Sequence, residues 1–128
     1  MKRNIGVVLL GLGCLLATHA FSATQHTFQI GPAVDYELPI NDPQVFSNVF
    51  MWTVKASCTI KSTEANNIVS FKVLRKTGSI NNRNLSSGDV MTLTLQPREV
   101  VYITALPGAK VELLNQGSTT IVASCTAT

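Results

Sequence analysis

Residues 52–60 read Trp-Thr-Val-Lys-Ala-Ser-Cys-Thr-Ile, and this stretch decides the fold class. Apolar side chains occupy every second position, and polar side chains occupy the positions between them. Because successive side chains of a strand point to opposite faces, the pattern predicts a β-strand with one buried face. Cys58 and Trp52 fall on that predicted buried face. The strand is expected to extend towards the N-terminus, since Phe46 and Phe50 share the same parity.

The same alternation recurs along the rest of the chain and predicts about seven strands. Turn-forming residues separate these runs, and no window has a convincing helical period. The sequence therefore predicts an all-β, immunoglobulin-like two-sheet β-sandwich. Pro39 places the strand that it interrupts at a sheet edge. The predicted inward-facing sets, besides residues 52–60, are Val34, Tyr36, Leu38 and Ile40; Val69, Phe71 and Val73; Met91, Leu93 and Leu95; Val101, Ile103 and Ala105; Ala109, Val111 and Leu113; and Ile121, Ala123 and Cys125.

The first 23 residues have the pattern of a secretory signal peptide. Lys2 and Arg3 precede an uncharged apolar run at residues 5–17, and mostly small residues follow it. A run of this length is too short to span a membrane, and the order of the regions is that of a cleaved signal. We expect a signal peptide at 1–23 and one domain at 24–128 without a transmembrane segment. The mature protein is then secreted or retained in a bacterial periplasm or envelope.

Loss of the signal peptide changes the charge balance. The full chain has 10 basic and 7 acidic side chains, and Lys2 and Arg3 leave with the signal, so 8 basic residues face 7 acidic ones. A nearly neutral domain offers no electrostatic basis for binding nucleic acid. Nucleic acid is therefore not an expected partner.

The mature chain contains two cysteines, Cys58 and Cys125, which we expect to form a disulfide in an oxidising compartment. Metal ligation is the alternative, but two thiolates and His26 do not complete a tetrahedral site. A core disulfide near Trp52 resembles the arrangement in immunoglobulin-like sandwiches. The order along the chain differs, because here the tryptophan precedes the first cysteine.

Residues suited to catalysis are few. Asp35 and Glu37 share the outward face of one predicted strand, and Asp42 follows shortly after them. These carboxylates, with His26, support an alternative interpretation as a small secreted hydrolase or metal-dependent enzyme. No catalytic serine motif or phosphate-binding glycine loop occurs in the sequence. We expect no enzyme activity and no cofactor.

Two sets of residues are candidates for binding. The first set consists of apolar residues at positions where the alternation predicts an outward-facing side chain, which is unusual on a solvated sheet face. Its members are Val90, Val100, Tyr102, Leu114 and Val122. The second set lies in and next to a polar, basic loop region at residues 76–87, which is suited to an anionic partner such as a lipid headgroup. Its candidate binding residues are Arg75, Lys76, Asn82, Arg83 and Asn84. The sequence thus predicts an exported, non-catalytic binding or structural module. Its partner is expected to be a protein, a surface molecule or a second copy.

Overall fold

The computed structural model describes residues 23–128, which form eleven β-strands. The predicted signal peptide lies, apart from Ala23, outside the described residues. No helix able to cross a membrane occurs within 23–128. The strands are β1 (Thr24–Thr27), β2 (Gly31–Leu38), β3 (Gln44–Ser47), β4 (Val54–Lys61), β5 (Asn67–Arg75), β6 (Thr77–Ile80), β7 (Arg83–Ser86), β8 (Val90–Leu95), β9 (Val100–Ala105), β10 (Lys110–Asn115) and β11 (Ile121–Ala127).

Two sheets make up the domain. The six-stranded sheet has the order β2-β11-β4-β9-β6-β7, and the five-stranded sheet has the order β1-β3-β10-β5-β8. Neighbouring strands are antiparallel except β1 and β3, which are parallel. The chain passes from β5 in one sheet to β6 in the other through a single residue, Lys76, which has a left-handed φ of 61°. The all-β, two-sheet architecture predicted from the alternation is confirmed.

The core lies between the sheets and is built largely from the inward positions that the alternation predicts. Ile40 is an exception, because β2 ends at Leu38 and the side chain beyond it is 42% exposed. In β4, Val54, Ala56, Cys58 and Ile60 are all buried, while the residues between them are exposed or half-buried. The corresponding positions of β5, β9 and β10 are buried in the same way. Period-two patterning works here because each strand has one face against the other sheet and one face in water. The predicted edge position of the strand before Pro39 is also confirmed, since β2 is the outermost strand of its sheet.

The predicted disulfide between Cys58 and Cys125 is confirmed. The two cysteines lie directly opposite each other on β4 and β11, with Cα atoms 4.0 Å apart. The bond therefore joins neighbouring strands of one sheet, whereas the immunoglobulin arrangement bridges two sheets. It ties the last strand of the chain to the strand at the centre of the six-stranded sheet.

Three sequence-based expectations are corrected. Residues 23–128 form eleven strands instead of about seven, because β1, β3, β6 and β7 are four residues long and too short to show a period. Trp52 is not a core residue: β4 begins at Val54, and the tryptophan side chain is 50% exposed in the preceding loop. The region 76–87 is not one long loop, because it contains the hairpin of β6 and β7.

Candidate functional site

A cluster of exposed apolar side chains lies at the end of the sandwich where β3 leads into β4. In the connecting loop, Val49 is 64% exposed, Met51 92% and Trp52 50%. The Phe50 ring is half-buried and packs against Trp52, with ring centroids 4.6 Å apart. Leu106, in the turn between β9 and β10, is also exposed. We call these five residues, Val49, Phe50, Met51, Trp52 and Leu106, the apolar tip.

The side chain of Asn48 holds the loop that carries the tip. Asn48 is 2% exposed, and its Nδ2 donates hydrogen bonds to the carbonyl oxygens of Trp52 at 2.8 Å and Ala105 at 2.9 Å. Its Oδ1 accepts a hydrogen bond from the backbone N–H of Phe50 at 2.8 Å. A buried amide that makes these three hydrogen bonds to the backbone fixes the path of the chain around it. Val49, Met51 and Trp52 are consequently held at the surface, while the half-buried Phe50 packs against the core.

Backbone hydrogen bonds join this loop to the turn between β9 and β10. The Asn48 N–H donates to the Ala109 carbonyl at 2.9 Å, and the Gly108 N–H donates to the Asn48 carbonyl at 3.0 Å. On the other side of the turn, the Leu106 N–H donates to the Thr77 carbonyl at 3.2 Å. The two loops thus form one continuous surface that is anchored to both sheets.

Three basic residues lie beside the apolar tip, and we call them the basic flank: Arg75, Lys76 and Lys110. Lys110 is opposite Ser47, the last residue of β3, and opposite Arg75 on β5. The Lys76 side chain lies against Gly108 in the β9–β10 turn. Within 23–128 the only ion pair is Lys61 with Asp35, so the flank has no carboxylate partner there. Apolar and cationic groups are therefore side by side at one end of the domain.

The outward apolar residues predicted as an interface do not form one patch. Val100, Tyr102 and Val122 lie on the outer face of the six-stranded sheet, whereas Val90 and Leu114 lie on the five-stranded sheet. The outer faces of the two sheets point in opposite directions, so the five residues cannot converge on one partner surface. Between β9 and β11, the intervening β4 presents polar side chains on that face.

The predicted basic binding loop is likewise divided. Arg75 and Lys76 belong to the basic flank, whereas Asn82, Arg83 and Asn84 are in the β6–β7 hairpin. That hairpin is fixed beside Tyr102, because the Asn81 N–H donates to the Tyr102 carbonyl at 2.8 Å and Asn81 Oδ1 accepts the Tyr102 N–H at 2.9 Å.

The carboxylates considered for catalysis are on the surface. Asp35 and Glu37 are exposed on the outer face of β2, and Asp35 Oδ2 lies 3.8 Å from Lys61 Nζ. Asp42 lies beyond the end of β2, in the loop leading to β3. No group of three or more His, Cys, Asp or Glu side chains that could hold a metal ion is found in the described part of the chain.

His26, named with these carboxylates in the enzyme interpretation, is held by side-chain contacts. It lies in β1, its Nε2 is 2.7 Å from Gln44 Oε1, and its ring stacks on Phe46 with centroids 4.8 Å apart. Tyr36 meets the same ring edge-on, and burial raises the pKa of the Tyr36 hydroxyl. These contacts give His26 a packing role in an aromatic cluster.

Comparison with known proteins finds no matching family, no matching curated protein sequence and no matching solved structure. Parity reasoning missed the apolar tip because it assigned Trp52 to the core. The signal that identifies the tip is the run of four consecutive apolar residues at 49–52, which breaks the alternation and cannot belong to a single strand face.

Proposed function

We propose that this protein is an exported, non-catalytic binding module whose apolar tip inserts into the surface of a membrane with anionic headgroups. The observation that carries the proposal is the exposed loop at residues 49–52, held outward by the buried Asn48 side chain next to the basic flank. Disulfide formation between Cys58 and Cys125 supports an oxidising, exported environment.

The chemistry of the tip matches the interfacial layer of a bilayer. Tryptophan is enriched at that depth, where its amphipathic ring is favoured. Fully burying a side chain such as methionine or valine contributes about 1.5–3 kcal/mol, and Met51 and Val49 are the most exposed large apolar residues between 23 and 128. Each basic residue close to an anionic leaflet adds about 1 kcal/mol. Together these terms are large enough for reversible binding to a membrane.

The shape of the site favours a lipid surface over a pocket on a protein. The apolar side chains occupy a loop between two strands at one end of the domain, beside cations that are unpaired in the described chain. Asn48 already fixes this loop, so little conformational entropy is lost on binding.

The signal peptide and kinship with immunoglobulin-like domains remain part of the proposal. The antiparallel two-sheet layout supports that kinship, while the disulfide within one sheet departs from it.

Vesicle binding can be measured directly because Trp52 is the single tryptophan of the chain. We expect its emission to shift to shorter wavelength when vesicles containing phosphatidylglycerol are added, and brominated lipid to quench it. Pure phosphatidylcholine vesicles should bind at least tenfold more weakly, because the basic flank has no anionic partner there. Added salt should reduce the difference between the two vesicle types.

The Met51→Glu variant should bind anionic vesicles at least tenfold more weakly, because a carboxylate must enter the apolar layer next to anionic headgroups. Ile40→Glu is the matched control, since Ile40 is also an exposed apolar residue but lies at the opposite end of the domain. The control should bind like the unmodified protein. An unshifted Trp52 spectrum at millimolar anionic lipid, or equal binding by Met51→Glu, would contradict the proposal.

Export has its own test. When the full chain is produced in a bacterium, we expect an oxidised protein whose N-terminus, read by mass spectrometry, lies between residues 21 and 24. Fractionation should recover it in the periplasm, the envelope or the culture supernatant. Retention of Met1 in the purified protein would show that the predicted signal is not processed.

A further inference from the structure

Four strands form the edges of the two sheets, and three of these edges are protected against pairing with another chain. The edge strand β2 contains Pro32, Asp35 and Glu37, and proline and charge are two common protections. The edge strands β1 and β7 have only four residues each. The fourth edge, β8 (Val90–Leu95), has six residues with the sequence Val-Met-Thr-Leu-Thr-Leu, without charge or proline. It is the edge best suited to pairing with another strand.

The direction of the free backbone groups of β8 follows from its pairing with β5. The Val73 N–H donates to the Asp89 carbonyl at 3.1 Å, and the Gly88 N–H donates to the Val73 carbonyl at 2.8 Å. Asp89 is therefore at a hydrogen-bonded position opposite Val73. Hydrogen-bonded positions recur at every second residue of an antiparallel strand, so Met91 and Leu93 also direct their backbone groups towards β5. The N–H and carbonyl groups of Val90, Thr92 and Thr94 consequently point away from the sheet.

The inner side of this edge is incompletely covered. Met91 and Leu93 point towards the core but are only half-buried, unlike the corresponding residues of the central strands. They line an open groove of about 570 Å³ between the edges of the two sheets, together with Leu85 of β7. Arg83 and Asp89 also line this groove. An added strand would satisfy the free backbone groups and cover Met91 and Leu93.

We propose that β8 pairs with β8 of a second copy, antiparallel and about a twofold axis at Thr92. Only Val90, Thr92 and Thr94 have outward backbone groups, so the register with the most hydrogen bonds places Thr92 opposite Thr92 and Val90 opposite Thr94. Met91 then faces Leu93 on the inner side.

This register explains why a second copy fits the edge. Threonine pairs across strands are favourable, and no like charges meet because the strand has none. A twofold axis makes the contact self-complementary and closes the assembly at two copies. The two five-stranded sheets would become one continuous sheet, with the apolar tips outside the contact.

The oligomeric state tests the proposal on the oxidised, exported protein. We expect a dimer at micromolar concentration in analytical ultracentrifugation. Thr92→Lys should weaken the dimer at least tenfold, because two ammonium groups meet at the axis. Ser70→Lys is the matched control, since Ser70 lies opposite Thr92 on β5, one strand further from the edge, and it should leave the dimer intact.

Cysteine variants test the register. Thr92→Cys should form an intermolecular disulfide on mild oxidation, with Cys58–Cys125 intact by peptide mapping. Thr94→Cys should not crosslink to itself, because the two copies of that position would be offset by four residues, about 13 Å along the strands. A monomer at 100 micromolar (about 1 mg/ml or more), equal dissociation by Ser70→Lys, or efficient crosslinking through Thr94→Cys would each overturn the proposal.

Discussion

Removal of the disulfide by the double substitution Cys58→Ala/Cys125→Ala should lower the free energy of unfolding by about 4 kcal/mol. The cysteines are 67 residues apart, and the crosslink restricts the unfolded chain over that length. Small domains are stable by about 5–15 kcal/mol, so this loss is a large fraction of the total. Chemical unfolding followed by far-ultraviolet circular dichroism measures it directly.

Reduction of the unmodified protein provides the control for the cysteine variant. Reduced protein and the double variant should unfold at similar denaturant concentrations, and both should unfold well below the oxidised protein. Alanine avoids a free thiol and an unpaired buried hydroxyl, so the difference reports mainly the crosslink. If the oxidised protein and the double variant have the same midpoint, the disulfide does not stabilise the domain as proposed.

The second large effect is expected for Asn48→Asp, which should cost about 3 kcal/mol of stability. The substitution keeps the shape of the side chain but replaces its two N–H donors with an acceptor. The carbonyl oxygens of Trp52 and Ala105 then lose their partner and face a carboxyl group in a buried position. Protonation of that carboxyl relieves the charge but restores only one donor. Denaturant unfolding at neutral pH measures the loss.

Two asparagine variants separate the local effect of Asn48→Asp from general instability. Asn115→Asp should destabilise the domain comparably, because Asn115 is fully buried and donates to the Leu38 and Thr119 carbonyls. It lies at the opposite end of the domain, so the emission of Trp52 in its folded state should be unchanged. Asn66→Asp, at an exposed position, should have little effect on stability. Only Asn48→Asp should alter both the native Trp52 spectrum and vesicle binding. Unchanged stability of Asn48→Asp would contradict the structural role assigned to Asn48.

The alternation of apolar residues was sufficient to predict the faces of the longer strands. Val69, Phe71 and Val73 are buried as predicted, because each lies on the side of β5 that meets the other sheet. The shortest strands could not be predicted from the alternation. In β3, Gln44, Val45 and Phe46 are buried in succession, so the period is absent where both faces of the strand are covered.

The cysteine pair was also predictable, but its position in the sheets was not. Parity places both sulfur atoms on inner faces, and an oxidising compartment favours their bond. That β4 and β11 are neighbours in the same sheet depends on hydrogen bonds between residues far apart in sequence. For the same reason, parity could identify Val90 and Tyr102 as outward-facing but could not show that they lie on opposite sides of the domain.

The sequence alone determined the all-β class, the inward faces of the longer strands and the pairing of Cys58 with Cys125. The class and the faces depend on a local period, which is encoded within a few neighbouring positions. The pairing follows because residues 24–128 contain only two cysteines. The tertiary structure decided the order of strands, the open edge at β8 and the placement of Trp52. The position of the tryptophan in the alternation is that of a core residue. The buried Asn48 side chain donates hydrogen bonds to the carbonyls of Trp52 and Ala105, and Trp52 therefore lies in the loop before β4 begins. The hydrogen bond between Asn48 and Ala105 joins residues 57 positions apart, so it forms only in the folded chain.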